Sequence, residues 1–296
     1  VAVGPGDDAA VVGDGWVLST DLSVEGVHFR REWITDEEIG FRAATAALSD
    51  LAAMAAEPVG LLVSMAYLPG GAVDAEAVQR GVQAAAAAVG ASILGGDVSR
   101  SPGPLVLDVT VVGWTAAPVL RSGANPGDAL WVTGCLGRSA AAVSLWRAGG
   151  TPAPRLRSAF ARPTARVAVA RALAGSGVPT AMVDLSDGLA GDAGHLAAAG
   201  GVRVIVETAR LPVDAPDEAT PGSPTPLDAA LHGGEDYELL FTAAPGAVEA
   251  WLQAAEPGVA LTRIGHVEAG EGVWAATADG SLAPLSGGFD HLGASP

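Results

Sequence analysis

The segment M-V-D-L-S-D-G-L-A-G-D-A-G-H-L, Met182 to Leu196, sets Asp184, Asp187 and Asp192 into an apolar run with no basic residue beside them. Carboxylates this close repel one another, and apolar neighbours add a desolvation cost, so their charged forms call for a cation that the chain does not supply locally. The same pairing of acid with small or hydroxyl residue recurs in G-D-D (Asp7, Asp8), S-T-D (Ser19, Thr20, Asp21), A-L-S-D-L (Asp50), G-G-D (Gly95, Gly96, Asp97) and G-G-E-D-Y (Glu235, Asp236). Each motif alone is ordinary turn or capping chemistry. As a set, hard oxygen donors without His or Cys favour Mg²⁺ or Ca²⁺ over zinc or copper, and Mg²⁺ usually shares its shell with substrate phosphates. The chemistry this predicts is the binding of a metal together with a nucleotide.

Two members stand out. Asp50 interrupts an Ala/Leu/Met-rich helical run after its first turns, where an acid gains little from the helix dipole and must face water or a partner. Asp97 follows two glycines at the end of an apolar run, where the backbone is free to approach a phosphate. The 16 basic residues are all Arg, so the sequence has no Walker A lysine, Schiff-base lysine or kinase-type strand lysine. The D-x-[DN]-x-[DN]-G calcium spacing is also absent. Bound phosphates must therefore be met by metals, backbone N–H groups and Arg, with Arg121 a candidate; its ordinary alternative is a surface ion pair worth ~0 to 1 kcal/mol.

Composition narrows the partners. The 296 residues are 49% hydrophobic, enough for one large domain or two ordinary ones, and 33 acids against 16 bases give a net charge of −17. That charge repels polyanions, which argues against nucleic acid and anionic membranes as partners. Apolar runs are short and broken, below the ~18 to 20 residues of a membrane-spanning helix. A single cysteine, Cys135, excludes an intrachain disulfide framework and fits a reducing compartment, so a cytoplasmic location is expected. The opening V-A-V-G-P-G-D-D has neither an initiator Met nor a signal-peptide pattern, and reads as trimmed at the N-terminus.

The elements that must position these acids are legible in outline. Thr35 and Glu38 form a capping box opening a helix that ends before Pro58, followed by a strand in V-G-L-L-V-S-M-A-Y-L and a helix in D-A-E-A-V-Q-R-G-V-Q-A-A-A-A-A-V. Strands in A-S-I-L-G-G-D and P-L-V-L-D-V-T-V-V-G-W come next. Turn formers at Arg121 to Asp128 mark a boundary near residue 120, giving domains 1–120 and 121–296. The second half reads as strand (A-L-W-V-T-G), helix, a Pro/Arg-containing loop, helix (T-A-R-V-A-V-A-R-A-L-A), strand (T-A-M-V-D-L), helix (G-D-A-G-H-L-A-A-A) and strand (V-R-V-I-V-E). The Pro-rich V-D-A-P-D-E-A-T-P-G-S-P-T-P predicts a mobile surface loop. Helices and adjacent strands mix in an α+β pattern.

Taken in order, G-P-G-D-D-A-A-V-V, L-S-T-D-L-S-V-E-G-V-H-F, A-L-S-D-L-A-A-M-A-A-E-P, L-G-G-D-V-S-R, L-R-S-G-A-N-P-G-D, D-L-S-D-G-L-A-G-D-A-G-H-L, G-G-E-D-Y-E-L-L-F and G-F-D-H cover essentially the whole chain. The set resembles the thiamine-monophosphate kinase family, in the superfamily of aminoimidazole ribonucleotide synthetase, selenophosphate synthetase and the hydrogenase maturation protein HypE. The resemblance implies ATP- and Mg²⁺-dependent phosphorylation of thiamine monophosphate to thiamine diphosphate. It implies Asp8, Ser19, Thr20, Asp21, Asp50, Asp97, Asp184 and Asp187 as ligands of several Mg²⁺ ions, and Gly96, Asp97, Arg121 and Ser186 as ATP contacts. His28, Glu235 and Phe289 would meet the thiamine phosphate. Catalysis would be electrostatic, with Asp97, Asp184 and Arg121 foremost.

The implied fold is an N-terminal ATP- and metal-binding sheet-and-helix domain that pairs into a barrel in a homodimer, and a C-terminal α+β sandwich domain. The family's segment ahead of G-D-D is missing from the sequence. The alternatives are a selenophosphate synthetase or HypE-like enzyme, or a non-catalytic divalent-cation or nucleotide-binding protein.

Overall fold

Period-two burial makes the first sheet. The computed structural model describes residues 1–214 and 224–288. Its Cα framework divides into one unit of 1–118 with 161–168, and a second made of the remaining described chain. In chain order the first unit contains β1 (Ala10–Val12), β2 (Trp16–Val24), α1 (Asp36–Ala53), β3 (Glu57–Tyr67), α2 (Ala75–Ala88), β4 (Ser92–Arg100) and β5 (Val106–Trp114). The strands form one sheet in the order β1-β2-β5-β3-β4, antiparallel except where β4 runs parallel to β3.

Alternate residues of β5 (Leu107, Val109, Val111) are buried beneath α1, while the intervening positions stay partly open. The open face carries Trp16, Leu22, Leu62 and Trp114, all more than a third exposed. Helix α1 starts as its sequence dictates. The Glu38 N–H donates to the Thr35 hydroxyl at 3.3 Å, and the Glu38 carboxylate accepts the Thr35 N–H at 2.8 Å. Helices α1 and α2 cross closely because Gly40 and Gly81 sit at the crossing, where an added Cβ would lie 1.9 Å and 1.8 Å from facing main-chain oxygens.

The second unit adds β6 (Ala129–Thr133), α3 (Arg138–Arg147), α4 (Pro154–Ala161), α5 (Val167–Gly175), β7 (Pro179–Asp184), α6 (Leu189–Gly200), β8 (Val202–Glu207), α7 (Pro226–His232), β9 (Leu239–Ala243), α8 (Ala247–Leu252), β10 (Leu261–Ala269), β11 (Gly272–Ala276) and β12 (Leu282–Pro284). Its sheet order is β12-β11-β8-β10-β6-β9-β7. Every residue of β6 and β9 is buried, so both faces of the sheet centre are covered. Leu189, Ala193 and Leu196 of α6 join Ala230 and Leu231 of α7 in one core cluster with Leu130, Val132 and Leu240.

The Pro/Arg-containing segment expected as a loop forms α4 instead. Pro154 occupies its first turn, where a missing N–H costs nothing, and Leu156 and Phe160, four residues apart, are buried on one face. The following residues pack with the first unit, where Arg162 pairs with Glu37 at 2.6 Å and lies over the Phe41 ring. Most of the predicted mobile loop, and Phe289, lie outside the described residues. Among those described, no helix is long and apolar enough to cross a membrane.

Candidate active site

In the first unit, strand alternation decides which donors meet. Ser19 and Asp21 project from the α1 side of β2, and Thr20 from the other. The Ser19 hydroxyl donates to the Asp50 carboxylate at 2.5 Å and lies 3.4 Å from the Asp8 main-chain oxygen. Asp50, the acid that interrupts an apolar helix, thus meets the turn that carries buried Asp8. The Thr20 hydroxyl donates to Asp108 at 2.6 Å on the open face. Asp97 is exposed on β4 and pairs in register with Ser64, itself opposite Asp108. The sheet therefore separates Thr20 and Asp97 from the convergence of Asp8, Ser19 and Asp50.

Gly96 lets β4 pack against β3, since a Cβ there would lie 1.9 Å from the Val63 oxygen. Half-buried His28 follows β2, and its Nδ1 accepts the Val24 N–H at 3.0 Å.

In the second unit, β7 delivers Asp184, 3% exposed, into the D-L-S-D-G turn. Three main-chain hydrogen bonds join this turn to G-E-D-Y-E: Leu185 N–H to Glu238 at 2.8 Å, Glu235 N–H to Ser186 at 2.8 Å, and Tyr237 N–H to Leu185 at 2.9 Å. Ser186 and Glu235, 49 positions apart in sequence, are thereby neighbours. The Asp187 N–H donates to Asp192 at 3.1 Å. One ligand atom from each of Asp187, Asp192 and His195 lies within 4.8 Å of the others. Arg121 opens a short 3₁₀ turn packed against β7 and α6.

The motifs give Asp192 no role of its own and do not single out His195. The signal was present in D-A-G-H, whose three-residue spacing puts both on one helix face. The carboxylates and hydroxyl of Asp8, Ser19 and Asp50 suit a hard cation such as Mg²⁺, whereas the group of Asp187, Asp192 and His195 fits it through its two carboxylates, the imidazole being a donor that softer divalent metals prefer. Burial pushes the Cys135 thiol up, so it lacks the lowered pKa of an activated nucleophile.

Residues 6–115 match the family model "AIR synthase related protein, N-terminal domain", and 125–275 match "AIR synthase related protein, C-terminal domain". The chain is 37% identical over 290 residues to a thiamine-monophosphate kinase of Rhodopirellula baltica, covering 93% of this chain and 86% of that one. A solved structure described as "AaThiL complexed with AMPPCP and TMP" superposes with a TM-score of 0.83 at 33% identity, over 97% of this chain and 91% of that one. The thiamine-monophosphate kinase of Stenotrophomonas maltophilia K279a gives a TM-score of 0.81 at 37% identity, over 95% and 92% of the two chains.

Proposed function

We propose a reaction for this chain from its family: it belongs to the thiamine-monophosphate kinases, within the AIR synthase related proteins. The chain transfers the γ-phosphoryl group of ATP in line to the phosphate of thiamine monophosphate, yielding thiamine diphosphate and ADP. The observation that carries this reading is the 2.8 Å hydrogen bond from Glu235 N–H to the Ser186 carbonyl. It ties the residue assigned to the acceptor to the residue assigned to ATP. The structural neighbour complexed with AMPPCP and TMP supports the same pair of substrates.

The acceptor needs no strong base. A phosphate monoester has a second pKa near ~6, so its attacking oxygen is already ionised at neutral pH. The work left for the protein is to hold two anions in line and neutralise them. Asp8, Ser19, Thr20, Asp21, Asp50, Asp97, Asp184 and Asp187 would hold Mg²⁺, which when bound offsets phosphate charge. Arg121, Gly96 and Ser186 contact ATP, with Arg121 supplying fixed positive charge. His28 and Glu235 orient the thiamine phosphate, joined by Phe289. Residues 1–120 form the ATP- and metal-binding domain, and 121–296 contribute Asp184 to Asp187 and Glu235.

The protein works in the cytoplasm as a homodimer. The exposed Trp16, Leu22, Leu62 and Trp114 on the open sheet face support pairing of that face with a second copy.

Release of ADP, followed with and without thiamine monophosphate, tests the reading. Release that requires the monophosphate, with inversion at a chiral γ-phosphorus, is expected. Nucleotide binding without turnover would favour the non-catalytic alternative.

A further inference from the structure

The turn that carries Glu235 has a shape that its own residues do not favour. Glu235 and Tyr237 have φ of 70° and 51°, left-handed values that residues with a Cβ seldom adopt. Asp236 lies between them. The first turn of α3 has a complementary need: its N-cap, Gly137, is left-handed and offers no side-chain cap. The Asp236 carboxyl supplies it: its Oδ2 accepts the Gly137 N–H at 2.8 Å, and the group takes a further hydrogen bond from the Ser139 main chain. Just beyond, Tyr237 and Glu238 are buried, and the Glu238 carboxylate accepts the Thr133 hydroxyl at 2.5 Å. On the other side, the Glu235 N–H reaches the Ser186 carbonyl.

We propose that Asp236 is a positioning residue for recognition of the acceptor phosphate. By capping α3 from a distant part of the sequence, its carboxylate holds the G-E-D-Y turn in the strained form that presents Glu235 beside Ser186. This rests on the reading of Glu235 as an acceptor contact.

The charge environment gives the role a measurable signature. Asp236 as a residue keeps partial exposure, but its carboxyl is packed round by protein; burial, reinforced by Glu238 and Glu235 and opposed by the Gly137 N–H, pushes it up to about 7. The ionisable groups around it are Glu235 and Glu238 on its own segment and Cys135 on the loop before α3, where Arg138 and Asp214 also act on that thiol. An Asn at this position keeps an oxygen that can accept from Gly137 and has no proton to lose.

The test is steady-state kinetics of the full chain, wild type against Asp236→Asn and Asp236→Ala, across about pH 6 to 8.5. Asp236→Ala is expected to raise KM for thiamine monophosphate by about tenfold or more, with a clearly smaller change in KM for ATP. Asp236→Asn is expected to stay within about threefold of wild type and to lose the inflection in that KM near neutral pH, the substrate's own ionisation being common to both proteins. An unchanged KM in Asp236→Ala, or equal losses for both substrates, would overturn the proposal. Should Asp236→Ala fail to fold, the Asn variant decides alone: a pH profile of that KM superimposable on the wild type's shows the substrate's ionisation only, excludes Asp236 as a source and overturns the proposal. A wild type that turns over other acceptors but not thiamine monophosphate removes the reading of Glu235 and this proposal with it.

Discussion

The backbone N–H of Val24 donates to Nδ1 of His28 at 3.0 Å, while the His28 N–H returns to the Val24 carbonyl at 2.9 Å. Main chain and side chain thus close the same turn at the end of β2. A ring nitrogen that accepts an N–H cannot carry a proton itself, so the proton of the neutral imidazole belongs on Nε2. His28 is then a hydrogen-bond donor through Nε2, suited to a phosphate oxygen. Nitrogen-15 NMR of the histidine rings is expected to find His28 as the Nε2–H tautomer, whereas an Nδ1–H tautomer would contradict this geometry.

Gly95 and Gly96 can be told apart by substitution. Both have strongly positive φ, but a Cβ at Gly96 would lie 1.9 Å from a main-chain oxygen of β3, and one at Gly95 would meet only the end of the Leu62 side chain at 3.5 Å. Gly96→Ala is expected to cost about 3 kcal/mol or more in chemical denaturation, and Gly95→Ala distinctly less. Equal losses would mean that backbone strain, not the contact with Val63, sets the requirement for glycine.

Asp97 is exposed on an edge strand, so its loss should leave the fold almost untouched. Asp97→Asn is expected to change stability by no more than about 0.5 kcal/mol while lowering phosphoryl transfer by about a hundredfold or more. Turnover close to wild type would remove Asp97 from the metal-binding set.

Asp236 should also mark the pH dependence of stability. Its folded pKa is raised from 3.8 to about 7, so the folded state binds a proton that the unfolded state has released. The stabilisation is complete below the unfolded value and is lost as pH rises through the folded one. Between about pH 5 and pH 8 the wild-type melting temperature is expected to fall more than that of Asp236→Asn. Parallel curves for the two proteins would place the titrating group elsewhere.

Much of this was legible locally. The Thr35 and Glu38 pair predicts the start of α1, and the alternation of β5 predicts a half-covered sheet, because caps and pleats act over a few residues. Helix α4 was obscured by the prolines around it, although Pro154 at its start and the Leu156/Phe160 spacing are both compatible with a helix. The motif S-T-D reads as one cluster, but the pleat sends Thr20 away from Ser19. The cap of α3 had no local signal at all, since its acceptor is 99 residues from the N–H that it meets. What chemistry required was visible in residue types; which residues met was a property of the sheets.

The central claim is transfer of phosphate to thiamine monophosphate, and chromatography of thiamine species tests it most directly. The purified chain would be incubated with ATP and thiamine monophosphate, with and without MgCl₂, and with free thiamine as a parallel acceptor. Thiamine diphosphate formed from the monophosphate alone, and only when Mg²⁺ is supplied, is the predicted result. Product from free thiamine, or ATP consumed with no thiamine diphosphate formed, would contradict the account.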